Sequence, residues 1–190
     1  MPTQQGRMAV YNTDADAANT AVRAFLTKLG GVYMMKSYGL SSYNTRSGRG
    51  KEIWGEIVKE FKSCCAYCGC KESDKVKLEM EHLIMVNRDE CGLHLPGNTV
   101  PVCKPCNKRK KEASGVVNWR KQLGFICDDP DVRDHRIKRI EAHMAKYEYP
   151  LITVEEQEMI QAVATRLSER VREEGSEAWK QYEARAKAFQ

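Results

Sequence analysis

The sequence predicts an α+β protein, a mostly helical chain around a small, thiol-braced core of two short strands. Three observations predict it: helical periodicity on both flanks, a strictly alternating segment at 76–82, and two C-x-x-C pairs that enclose that segment. The 190 residues suit one compact domain or one core with helical additions. Hydrophobic residues at 42% can fill a core, and charged residues at 30% argue against a membrane protein. No run approaches the roughly 20 apolar residues that span a bilayer. Residues Met1 to Arg7 hold one basic side chain and no apolar stretch, so a secretory leader is not expected and a cytoplasmic setting is. The 31 Lys+Arg against 26 Asp+Glu leave a net charge of +5, which permits a nucleic-acid partner without demanding one.

Ala17, Ala21, Val22, Phe25, Leu26 and Leu29 fall on one helical face, and Gly30-Gly31 are expected to end that helix. Residues 41–50 form a polar, glycine-bearing basic loop. A second helix from about Glu52 to Lys62 presents Ile53, Trp54, Ile57, Val58 and Phe61. Val76 to His82 alternates apolar and polar, the period of a half-buried strand. Residues 83–97 read as loop, and 98–102 as a second strand that Pro101 confines to an edge or a bulge. Pro105 suits the first turn of a helix over about 105–113. Beyond Gly115, residues 116–123 look helical. Asp129-Pro130 opens a helix over 130–147, with Val132, Ile137, Ile140, Met144 and Tyr147 inward. Thr153-x-x-Glu156 is a capping box opening a helix with Ile160, Val163, Leu167 and Val171 on one face. Gly175 is expected to interrupt it, and Ser176 to cap a last helix whose Trp179, Tyr182 and Phe189 cover a core or a subunit interface.

Of the eight cysteines, six lie in two tight clusters, Cys64 to Cys70 and Cys103 to Cys106. Without an export signal such spacing points to metal rather than to disulfides. A C-x-x-C presents two thiolates from one tight turn, and two such pairs complete a tetrahedral, closed zinc site. Cys65, Cys68, Cys103 and Cys106 are the expected ligands. Cys64 and Cys70 stand as flanking thiols, and Cys91 and Cys127 as ordinary half-buried ones. A redox dithiol would need only one of the two pairs.

Between the pairs lie Glu81-His82 and Asn98, and Asn107 follows the last zinc cysteine. With Cys65-Ala66-Tyr67-Cys68-Gly69 and the run Gly97 to Lys110, these landmarks resemble the HNH endonucleases, the ββα-metal nucleases, in their zinc-bearing, treble-clef-like form. The resemblance covers about 64–113, roughly a quarter of the chain. It implies that His82 is the general base, that Glu81 and Asn107 hold a catalytic divalent ion, and that Asn98 braces the loop. The family more often has Asp before the histidine, and Glu81 is one methylene longer. It also implies structural zinc, catalytic magnesium or manganese, and products with 5′-phosphate and 3′-hydroxyl ends.

The residue types suit that chemistry. A histidine near pKa 6.5 can take a proton from water at neutral pH. A hard cation on a carboxylate and an amide oxygen keeps positions open for phosphate. Taken singly, Asn98 is a turn residue after Gly97, Asn107 a helix-start residue, and His94, His135 and His143 packed or surface histidines. His82 differs because a carboxylate precedes it at a strand end between two cysteine pairs.

Lys104, Lys108, Arg109, Lys110 and Lys111 place five positive charges within eight residues beside Asn107, suited to phosphate contacts. Arg46, Arg49 and Lys51 form a second basic stretch. Arg133, Arg136, Lys138 and Arg139 form a third, expected to be simply solvated. The last 40 residues are net acidic, with eight Glu against six Lys+Arg, and suit DNA poorly.

The expected organisation is an N-terminal helical and basic segment at 1–63, a nuclease core at 64–114 and a C-terminal helical region at 115–190. The expected activity is a metal-dependent endonuclease on double-stranded DNA, of a stand-alone, type II restriction-like kind. One such centre cuts one strand at a time, so double-strand cleavage would take a homodimer or successive nicks. A phage or mobile-element nicking or junction-resolving enzyme, and a non-catalytic zinc-knuckle DNA-binding protein, are the alternatives.

Overall fold

The computed structural model describes residues 13–108, 111–112 and 115–187. Arg109, Lys110, Phe189 and the first residues of the chain lie outside these. The fold class is α+β: six helices and two small two-stranded sheets among the described residues. No described helix is long and apolar enough to cross a membrane. The chain divides into two compact units. One joins residues before Thr27 with Asn87–Cys91 and those from Ile152 onward; the other joins Thr27–Val86 with Gly92–Leu151.

Helix α1 spans Asp14–Tyr38, and Thr13 caps it by accepting the Asp16 amide at 3.1 Å. It runs through Gly30-Gly31, where the sequence suggests a stop. The glycines serve close approach instead: a Cβ on Gly31 would stand 2.5 Å from the Ser41 carbonyl oxygen, and one on Gly30 3.1 Å from that of His94. Backbone packs where any side chain would intrude. Helix α2, Gly48–Glu60, buries Ile53 and Ile57, and Phe61 follows at its end. Lys62 and Ser63 then take left-handed φ of 55° and 51°, turning the chain into the first cysteine cluster.

Strand β1, Leu78–His82, pairs antiparallel with β2, Thr99–Cys103, with Leu78 opposite Cys103 and His82 opposite Thr99. Pro101 is tolerated because a two-stranded sheet has only edge strands; its carbonyl accepts the Ala66 amide at 2.8 Å. Helix α3 is one turn, Lys104–Asn107, rather than a helix to 113. Strands β3, Lys111–Glu112, and β4, Gly115–Val116, form a small hairpin in its place. Pro105 starts a helix well, but Lys108 is already extended at ψ 98°, so the turn is not propagated.

Helix α4, Trp119–Ile126, begins at Asn118, whose side chain accepts the Lys121 amide at 3.0 Å; residues 116–118 are therefore not helical. Helix α5, Pro130–Lys146, begins at Asp129, which accepts the Asp131 and Val132 amides. Ile140, His143 and Tyr147 are buried, whereas Val132, expected inward, is exposed. Two of α5's basic residues are not simply solvated. Arg136 donates to the carbonyls of Tyr67 and Cys68, and Arg139 donates to that of Glu60 at 2.6 Å while its guanidinium lies 4.7 Å over the Phe61 ring. Carbonyls of the knuckle and of the C-terminal end of α2 draw these donors inward.

Helix α6 spans Val154–Lys187 without a break at Gly175, whose missing side chain leaves space beside the Asp14 carboxylate. Thr153 accepts the Glu156 amide at its start. Ile160, Ala164 and Ser168, four apart, form its buried line. Trp179 and Tyr182 are 60% and 62% exposed and contribute nothing to the core.

Candidate functional site

The first cysteine cluster is a tight knuckle. The Cys65 amide donates to the Cys70 carbonyl at 2.8 Å and the Gly69 amide to the Cys65 carbonyl at 2.9 Å, with Gly69 at φ +77°. The Cys68 amide points at Cys65 Sγ, 3.4 Å away. Cys103, at the end of β2, brings its sulfur to 3.6 Å from Cys68 Sγ. Two sulfurs on one tetrahedral zinc at about 2.3 Å stand about 3.8 Å apart, so the spacing fits that ion.

Four sulfurs, those of Cys65, Cys68, Cys70 and Cys103, lie within 4.8 Å of one another and make a cluster that could hold zinc. Cys70, read from sequence as a bystander, therefore joins the set. Cys106 is the fifth thiol: burial pushes its pKa up, and the neighbouring Cys65, Cys103 and Cys68 push the same way. Cys70 is raised by burial and by Cys68 and Cys103. Cys70 and Cys106, crowded by neighbouring thiols, resist ionising, and a divalent cation relieves that repulsion. Cys91 and Cys127 lie apart from this group and are buried rather than half-buried.

Arg136 holds the knuckle from outside. Its Nη2 reaches the Cys68 carbonyl at 3.0 Å, and it would stand 3.0 Å from any Cβ on Gly69. Sequence gives no signal for this, because 68 residues separate donor and acceptor.

Glu79 and Glu81 share one face of β1 by strand alternation. Asn107, at the end of α3, donates its side-chain amide to Glu79 Oε2 at 2.8 Å. Sequence reasoning placed Asn107 with Glu81 and passed over Glu79; its position two before Glu81 on an alternating strand is the signal that could have found it. With Asn107 Nδ2 turned to Glu79, Oδ1 is the atom that remains to act as a ligand. Lys104 and Lys108 flank Asn107 and are exposed. The backbone of Lys111 lies in β3.

Asn98 is fully buried. Its Oδ1 accepts the Ile84 amide at 2.8 Å, and its Nδ2 donates to the carbonyls of Ile84 at 2.8 Å and Leu93 at 2.9 Å. It thereby ties the chain leaving β1 to the chain returning to β2.

His82 ends β1 and turns its ring towards His94, with Nε2 of His82 2.8 Å from Nδ1 of His94. His94 Nε2 lies 2.8 Å from the Tyr43 carbonyl oxygen, and the Tyr43 ring sits 5.1 Å from the His94 ring. Burial lowers the His94 pKa, with the Tyr43 carbonyl opposing, so the ring is neutral at neutral pH. Tyr43 in turn bonds through its hydroxyl to Thr99, whose own proton goes to the Pro96 carbonyl. In the sequence alone His94 reads as a packed or surface histidine, with nothing to pair it with His82.

Of the other predicted basic contacts, Arg46 and Lys51 are exposed. Arg49 spans Glu52 at 3.0 Å and Glu56 at 3.1 Å, so much of its charge is already engaged.

No curated protein matches the chain significantly, and neither does any solved structure. The glutamate-histidine strand end, the buried asparagine, the asparagine after the last cysteine and the thiol cluster nevertheless all fall in one segment, and the family model that matches that segment, residues 65–113, is the HNH endonuclease.

Proposed function

We propose that the protein is a metal-dependent DNA endonuclease that hydrolyses phosphodiester bonds to 5′-phosphate and 3′-hydroxyl ends. One observation carries the reading: within the segment matched as HNH endonuclease, His82 stands at a strand end directly after Glu81, its ring held by a second histidine. The role assigned to His82 is to take the proton of the attacking water. Glu81 and the Oδ1 of Asn107 would hold magnesium or manganese, with Glu79 orienting the asparagine. Such an ion supplies charge neutralisation at the phosphate and lowers the pKa of water. Zinc on four of the five clustered thiols is assigned a structural role. Lys104, Lys108 and the basic residues after them are assigned to phosphates beside the scissile one. Arg46 and Lys51 are assigned to backbone contacts further along. The helical flanks, long relative to the matched segment, favour a stand-alone restriction-like enzyme acting on double-stranded DNA as a homodimer or by successive nicks.

Supercoiled plasmid with magnesium or manganese tests this. Wild type should nick or linearise it only with the ion, and His82→Ala should lose the activity while keeping its zinc. An absence of cleavage on every DNA form, with DNA binding intact, would leave a zinc-knuckle binding protein instead.

A further inference from the structure

Resting on the reading of His82 as the base, we infer that His94 is a positioning residue that selects the tautomer of His82. A carbonyl oxygen can only accept, so the 2.8 Å contact to Tyr43 O requires the His94 proton to sit on Nε2. A neutral His94 then carries its lone pair on Nδ1. That lone pair faces His82 Nε2 at 2.8 Å, a distance at which one of the two nitrogens must hold a proton, and only His82 Nε2 can. Neutral His82 therefore has its lone pair on Nδ1. The tautomer of neutral His82 is thus fixed by a residue twelve positions away.

The arrangement is built rather than incidental. The His94 backbone is seated against α1 at Gly30, where a Cβ would come within 3.1 Å of its carbonyl. Its ring packs 5.1 Å from both Tyr43 and His82. Tyr43 is anchored by its hydroxyl to Thr99, the cross-strand partner of His82. The relay thus starts and ends on the same rung of the sheet. When His82 takes up a proton on Nδ1, its Nε2–H bond to His94 is unchanged.

Two-bond ¹H–¹⁵N correlation spectra of the full-length, zinc-loaded protein with ¹⁵N-labelled histidine read the tautomer directly. In wild type, the neutral form of His82, and His94 at neutral pH, should each show a protonated Nε2 and an unprotonated Nδ1. His94→Leu should release His82 into a mixture of tautomers and lower plasmid cleavage roughly 10–100-fold, as loss of a histidine's orienting partner does elsewhere, with zinc content unchanged. His94→Asn places Oδ1 where Nδ1 stood, so it should keep the His82 proton on Nε2 and recover most of the rate. A neutral wild-type His82 protonated on Nδ1, or a His82 tautomer unmoved in His94→Leu, overturns the inference. Should His94→Leu fail to fold, the wild-type and His94→Asn spectra decide. A wild type with the stated tautomer but no cleavage would sink the nuclease reading and leave the His94 assignment standing.

Discussion

Arg136 Nη2 donates to the main-chain carbonyl of Cys68 across 3.0 Å, fastening α5 to the knuckle at a residue of the thiol cluster. Arg136→Met keeps the aliphatic stem and removes both donors. It should weaken zinc binding by roughly tenfold, since the partners of metal-holding residues are worth that much. Competition with a chromophoric chelator measures it, and an unchanged affinity would show that the clamp serves only helix docking.

Five thiols surround a site that needs four. Cys70→Ser or Cys106→Ser alone should retain about one zinc per chain, at an affinity lowered roughly 10–100-fold, because the other thiol can complete the tetrahedron. Cys65→Ser, Cys68→Ser and Cys103→Ser should each lose the metal, and with it the fold of this segment. Elemental analysis after gel filtration separates the two classes. A full loss of zinc from Cys106→Ser would make Cys70 an outer thiol.

Removing the Asn98 side chain orphans three backbone groups at once, the amide and carbonyl of Ile84 and the carbonyl of Leu93. Asn98→Ala should cost about 2–4 kcal/mol, the penalty for buried groups left unpaired. A shift in the urea midpoint at constant slope is the expected record. A change below 0.5 kcal/mol, an order-of-magnitude floor for surface sites, would mean that water fills the place.

Acid should weaken the fold in two stages. His94 is held below the usual histidine value by burial, so below about pH 6.5 the unfolded chain binds a proton that the folded chain refuses. Stability therefore declines as pH falls from that point, at up to about 1.4 kcal/mol per pH unit for one such group. Further down, Glu60 contributes. Burial pushes its carboxyl up, but the hydrogen bonds from Lys146 and His143 outweigh this and hold it below the ordinary value of 4.5. That stabilisation is present above pH 4.5 and fades as pH drops through the folded pKa. Urea midpoints between pH 7.5 and about 3, with zinc content checked at each, should show both. In His94→Asn the first decline should become shallower, with His143, also held low by burial, supplying the remainder.

Local signals were legible in the sequence, and long-range ones were not. Thr153, Asp129 and Pro130 announced helix starts because a cap acts over two or three residues. Alternation over 76–82 gave the strand that carries His82. The glycines misled for a single reason: Gly30, Gly31 and Gly175 read as breakers, yet each is small because a neighbour distant in sequence comes close to it. The C-x-x-C spacing pointed to metal but could not show that Cys70 lies within 4.8 Å of Cys65, Cys68 and Cys103. His94 and Glu79 escaped notice because their meaning lies in what they face. His94 meets Tyr43 across 51 residues, and Glu79 meets Asn107 across 28.

The five-rung ladder of β1 and β2 begins at Leu78 opposite Cys103 and finishes at His82 opposite Thr99. A thiol of the metal cluster is thus spliced to one end of a ruler whose other end carries the histidine relay. A slip of one residue would turn every side chain of β1 to the reverse face, trading His82 for Glu81 before His94. So short a ladder resists slippage weakly by itself. With zinc shared between Cys103 and the knuckle, sliding would have to drag the thiol off the ion. Zinc bound at the cysteine cluster, about four rungs or roughly 13 Å of strand away, would act as the indexing pin that decides which side chain arrives at the working end.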